Sequence, residues 1–124
     1  MPALGDIEIQ KITNSWLATD RATASTATAT KAAVPGKCNV VRHVYVSFSA
    51  VTSVSATLTL NFGGTPQFVF DVPTGTVNEV FLDFGDDGVL NPTANSAISA
   101  VLTSAGTGVT ASVVMDGYIT DPPA

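Results

Sequence analysis

Ser53-Val-Ser-Ala-Thr-Leu-Thr-Leu-Asn-Phe62, then Gly63-Gly64-Thr65-Pro66, then Gln67-Phe-Val-Phe-Asp-Val72, is the stretch on which the fold turns. Its even positions through residue 62 are Val54, Ala56, Leu58, Leu60 and Phe62, and its odd positions are Ser53, Ser55, Thr57, Thr59 and Asn61. An alternation of period two puts every apolar side chain on one side of an extended strand, so one face is buried and the other is wet. After the glycines the alternation resumes with Phe68, Phe70 and Val72 inward. Two such runs around a short Gly-containing break form a hairpin.

Outward from there the same style repeats. His43–Ser49 sets Val44, Val46 and Phe48 against His43, Tyr45 and Ser47, and Glu79–Phe84 sets Val80, Leu82 and Phe84 inward. Ser96–Thr103 and Val109–Ile119 flank Ser104-Ala105-Gly106-Thr107-Gly108, which reads as a second hairpin connection. Val109, Ala111, Val113 and Met115 share one face of the last strand. A further strand is expected at Asp6–Ile12. The sum is an all-β chain of about eight strands, a single antiparallel β-sandwich of jelly-roll-like type with an extended N-terminal arm.

Three regions follow: an N-terminal arm or segment over 1–36 that packs on its own chain or a neighbour, the sandwich over 37–120, and a short tail over 121–124. A helix has one candidate stretch, Thr13–Ala24, with Asn14 or Ser15 as N-cap, and its threonines argue against it. Residues 22–33, ATASTATATKAA, carry no bulky anchor. They suit an edge strand or an arm laid on a neighbour, and equally a loose linker. Val34-Pro35-Gly36-Lys37 turns the chain into the sandwich, and Asp121-Pro122-Pro123-Ala124 ends pairing, since proline has no N–H to give a ladder.

At 124 residues the chain is one domain. Only 12% of it is charged, about half the usual share, which suggests surface hidden in an assembly. The net charge is −5, and no Lys or Arg follows Arg42, so no basic footprint for nucleic acid exists. No stretch approaches the ~18 apolar residues of a membrane span, and the acidic opening MPALGDIEIQ lacks the form of a secretory signal. The expectation is synthesis and folding in a reducing cytosol, with no nucleic-acid or membrane partner.

Chemistry finds little support. His43 is the only imidazole and Cys38 the only thiol, so neither a zinc site nor a disulfide can be assembled, and Cys38 reads as a small half-buried hydrophobe. Asp83, Asp86 and Asp87 sit at a Gly-bracketed turn where calcium is one reading and ordinary turn chemistry the other. No nucleotide loop is present. No enzyme and no cofactor are expected. Trp16 lies outside the sandwich pattern and reads as a binding anchor or as a staple onto its own domain. Tyr45, Val69 and Phe81 are apolar residues on nominally wet faces, and with Trp16 they are the interface candidates.

The stretches at 43–62, 68–75 and 90–119 together resemble small structural proteins of tailed phages. The likeness runs through Asn95, Ala97, Ile98, Ala100, Leu102, Gly106, Gly108, Val109, Gly117 and Tyr118, and through the Ala32–Lys37 leader and turn. It covers roughly residues 22–120. The resemblance implies a head decoration, or cement, protein: a homotrimer on the capsid surface of the virion that bridges subunits of the major capsid protein. The alternative is a carbohydrate- or receptor-binding module of a phage tail or fibre, for which Trp16, Tyr45 and Tyr118 would form the aromatic platform.

Overall fold

The computed structural model describes residues 14–77 and 79–123, and the strand expected at Asp6–Ile12 lies outside them. The described residues form nine strands: β1 (Ser15–Thr23), β2 (Ala27–Lys31), β3 (Cys38–Phe48), β4 (Ala56–Phe62), β5 (Thr65–Val72), β6 (Val80–Asp83), β7 (Val89–Leu90), β8 (Ile98–Leu102) and β9 (Thr110–Thr120). No helix is among the described residues, and so none is long and apolar enough to cross a membrane. The strands divide into two antiparallel sheets. Sheet A has the order β1-β9-β3-β6 with β7 also on β3, and sheet B the order β2-β8-β4-β5.

Set the two-residue β7 aside and the pairing is that of a jelly roll, a long antiparallel ribbon rolled on itself. The first strand pairs with the last (β1–β9), the second with the next to last (β2–β8), then β3 with β6, and β4 with β5 at the ribbon's tip. The tip is the hairpin read from the sequence, with Gly63 and Gly64 at φ +60° and +90°. Both central residues of that two-residue turn need positive φ, which glycine adopts without steric cost.

The inward residues of the two sheets make one core. Val41, Val44 and Val46 of β3 and Ala111, Val113 and Met115 of β9 face Leu58 and Leu60 of β4 and Ile98, Ala100 and Leu102 of β8, all essentially free of solvent. Ala27 and Ala29 of β2 are fully buried while Thr28 and Thr30 are exposed. The Ala/Thr segment is therefore an edge strand of its own chain's sandwich. Small side chains serve there because β1 and β2 close one end of the sandwich against each other.

From Ser15 to Thr23 the helix-candidate stretch pairs with β9 over nine residues, in keeping with the threonines' case against a helix, with Trp16, Ala18 and Ala22 packed on the core. That spacing has period two, not 3.6. β1 and β2, which lie within the 1–36 segment, are strands of the sandwich. Two expectations are corrected. The run 96–119 is not a hairpin: β8 belongs to sheet B and β9 to sheet A, so Thr103–Val109 crosses between layers. Val54 is not inward; β4 begins at Ala56 and Val54 stands 45% exposed.

β3 starts five residues earlier than the alternation of residues 43–49 indicates. Its pairing with β9 shifts register between Val41 and His43, and this bulge moves the buried set from Val41 to Val44 and Val46. One extra residue inverts the side-chain parity, which hides the strand from a period-two count.

Candidate functional site

Among the described residues, the outer face of sheet A and a cleft where β5 meets the chain around β7 both gather groups able to bind a partner.

On the outer face of sheet A the register sets side chains in three rows across β1, β9, β3 and β6. The first row is Leu17, Asp116, His43 and Asp83; the second is Thr19, Val114, Tyr45 and Phe81. The third is Arg21, Ser112 and Ser47, with Glu79 one residue beyond the last β3–β6 pair. Residues opposite one another on antiparallel strands have Cβ atoms about 5 Å apart, so each row is a line of contacts. Phe81 stacks on the His43 ring at a centroid distance of 5.5 Å and meets the Tyr45 ring edge-on at 6.2 Å. His43 Nδ1 lies 2.9 Å from Asp116 and Nε2 lies 3.3 Å from Asp83. A neutral imidazole donates to only one of those carboxylates, and an imidazolium donates to both. The Glu79 carboxylate accepts the Tyr45 hydroxyl, and this bond holds the phenol above its ordinary pKa by favouring the protonated form.

The sequence candidates divide over the molecule. Tyr45 and Phe81 come together on sheet A, with Phe81 56% exposed. Val69, 61% exposed, stands on the opposite side, on the outer face of β5 beside Thr59. Trp16 is packed against the core and leans on Gly117, and its buried indole N–H has no acceptor among the described residues. Tyr118 is buried and donates to the Asp87 carbonyl. An aromatic platform of Trp16, Tyr45 and Tyr118 is therefore not formed.

The aspartates of the Gly-bracketed turn have separate tasks. The Asp83 carboxylate also accepts the Gly85 N–H, and Asp86 is paired with Arg42 at 2.6 Å. Asp87 contributes its backbone carbonyl to Tyr118. Among the described residues no three His, Cys, Asp or Glu side chains are placed to hold a metal ion. Cys38 is buried, which pushes its thiol pKa up, and its Sγ lies 3.6 Å from the Pro92 carbonyl.

The cleft has a volume of about 350 Å³ and is lined by Phe62, Thr65, Gln67, Phe68, Val89, Leu90, Asn91, Pro92 and Thr93. No charged side chain is in that lining. Phe68 is braced by Phe70 on the same strand (6.2 Å) and by Phe84 beyond β6 (5.2 Å), so its ring orientation is set by packing. The far wall is set by two buried asparagines. Asn39 accepts the Asn91 N–H at its carbonyl and donates its amide to Ser96 and Ala32 carbonyls. Asn91 donates to the Ser96 hydroxyl and accepts the Thr93 N–H. Sequence reading missed this cleft. Its lining comes from two separated segments, 62–68 and 89–93, and no local pattern in either announces that they meet.

No protein-family model and no curated protein matches the sequence. Among solved structures the chain is similar to the carbohydrate-binding module CBM36 in complex with calcium and xylotriose, at 19% identity and TM-score 0.41 over 82% of this chain and 78% of that one. It is similar also to the CBM36-1 domain of a multidomain xylanase from the hindgut metagenome of Trinervitermes trinervoides, at 12% identity and TM-score 0.43 over 90% of this chain and all of that one. A third is an arabinose-bound α-L-arabinofuranosidase, MgGH51, at 15% identity and TM-score 0.50, where 92% of this chain matches 23% of that one. At such identities what is shared is the architecture, a two-sheet β-sandwich.

Proposed function

We propose that the chain is a non-catalytic binding module that takes a neutral saccharide in the cleft between β5 and the β7 segment. The lining carries this reading: two phenylalanine rings, two amides and two hydroxyls, with no charge among them. A pyranose has an apolar C–H face and a rim of hydroxyls, so it needs one surface of each kind. Phe62 and Phe68 supply the first, and Gln67, Thr65 and Thr93 the second. The volume falls within the roughly 300–1,000 Å³ typical of small-ligand sites. Glycoside hydrolysis would require two carboxyl groups flanking the scissile bond, and the lining contributes none, which supports binding without turnover. The test is calorimetric titration against neutral and acidic oligosaccharides. Neutral sugars bind, and Phe68→Ala weakens them about 2- to 13-fold, the equivalent of the ~0.5–1.5 kcal/mol of an aromatic contact. Gln67→Ala weakens them comparably. Absence of binding across the neutral panel, or binding indifferent to both substitutions, would overturn the proposal.

A second reading, a capsid decoration protein, is favoured by a different observation. Large apolar side chains are exposed on both outer faces, Leu17 and Phe81 on sheet A and Val69 on sheet B. A protein that bridges neighbours needs more than one docking side, and several weak contacts then add through effective concentration. Co-sedimentation with undecorated capsids separates the readings. Decoration predicts co-sedimentation that Val69→Asp or Phe81→Asp abolishes and Phe68→Ala leaves intact.

A further inference from the structure

Whatever the cleft takes, the outer face of sheet A carries a pattern of its own. Read from β1 to β6, its third row ends in the charge opposite to the one it begins with, and its first two rows carry complementary pairs at their centres. The third row begins with the exposed cation Arg21 and ends with the exposed anion Glu79. The first places Asp116 and His43 at its centre, and the second Val114 beside Tyr45, with Thr19 and Phe81 outside them. A two-fold axis lying in the face and parallel to the strands turns each row end for end. It sets Arg21 over Glu79 of the partner, Asp116 over the partner's His43, Val114 over the partner's Tyr45 and Thr19 over the partner's Phe81. Only Leu17 over the partner's Asp83 is mismatched. The other in-plane two-fold, across the strands, would set Asp83 over the partner's Glu79, acid on acid. The face itself therefore distinguishes the two arrangements.

We propose that the outer face of sheet A is a self-complementary surface on which a second copy of this chain packs about a two-fold axis parallel to the strands. A symmetric pair uses one patch twice, so each complementary contact occurs twice. Sheets that pack face to face are rotated by about 30°, which moves the corners a few ångströms and stays within reach of the Arg21 side chain. Four strands about 4.8 Å apart and three rows about 7 Å apart make a footprint on the order of 400 Å². With side-chain relief the two copies together bury roughly 1,000 Å², the lower edge for a specific interface, so the dimer depends on concentration.

The experiment is sedimentation equilibrium of the full chain over a concentration series at low and high salt, with Arg21→Glu, Glu79→Arg and the double reversal. Both residues are exposed, and circular dichroism confirms that each variant is folded. The wild type dimerises reversibly and more weakly at high salt. Each single reversal sets like charges opposite twice over and weakens dimerisation at least about tenfold. The double reversal restores it to within about threefold. A monomer throughout, a trimer, a dimer indifferent to the single reversals, or failure of the double reversal to rescue would each overturn the proposal.

Discussion

Gly117→Ala concentrates the demands of the fold in one methyl group. Gly117 sits in β9 between Trp16 of β1 and Val41 of β3, beside the bulge that shifts the β3–β9 register. A Cβ added there would overlap the Val40 carbonyl oxygen and lie 2.7 Å from Cζ2 of Trp16. The carbonyl belongs to a paired strand and cannot rotate away without breaking the ladder, and Trp16 is wedged against the core. Relief requires β9 and β3 to part by about an ångström, and overpacking of this kind costs about 1–3 kcal/mol or more. Both obstacles are stiff, so about 3 kcal/mol is expected. For a chain of this length each kcal/mol lowers Tm by roughly 4 °C, so the melting point falls by about 12 °C. Urea denaturation should show a lower midpoint at an unchanged m-value. Gly36→Ala is the control: open space surrounds it, and only its φ of +73° opposes a side chain, at a cost of about 1 kcal/mol. A Gly117→Ala protein within about 0.5 kcal/mol of the wild type would refute the argument.

Three other outcomes are expected. The Asp20 carboxylate accepts the Thr28 N–H at 2.7 Å, and backbone N–H bonds from Thr28 and then Arg21 hold its pKa below the ordinary range. The folded value is depressed, so its stabilisation is present above about pH 4 and lost as pH falls through the folded value; Asp20→Asn should lower the urea midpoint at pH 7, and the gap from wild type should close near pH 2. Cys38 is buried with a raised thiol pKa, so a thiol reagent at pH 8 should modify it only after unfolding, and immediate stoichiometric labelling of the native protein would contradict that burial. Tyr118→Phe removes the hydroxyl that ties the Asp87 carbonyl to β9 and should cost about 0.5–1.5 kcal/mol in urea denaturation; an unchanged midpoint would show that bond to be dispensable.

Much of the sandwich is legible along the chain because a half-buried strand writes its two faces as alternating letters. Leu58, Leu60, Val44, Val46, Val113 and Met115 are inward in the structure as in the pattern. The Gly63-Gly64 hairpin is equally local, since only the turn's φ angles and its flanking runs are involved. Reading fails where a neighbour decides. Nothing within Ser15–Thr23 says that β9 will pair with it, and the bulge near Val41 conceals the first half of β3. Gly106 and Gly108 mark a turn but not whether the chain returns in its own sheet or crosses to the other.

The surfaces divide in the same way. The wet phase of Tyr45 and Phe81 can be counted from sequence, yet their contact depends on β6 lying beside β3, a pairing that spans 36 residues of chain. The cleft is more remote still, because Phe62 and Phe68 meet Val89, Leu90 and Asn91 only when the two sheets close on each other. By itself the sequence determined that this is a charge-poor, all-β sandwich, since strand periodicity and turn chemistry act between residues a few positions apart. Only the tertiary structure decided the jelly-roll order, the cleft and the rows on the outer face of sheet A, since each depends on which distant strands share a ladder, and a ladder is chosen by the burial of the whole core.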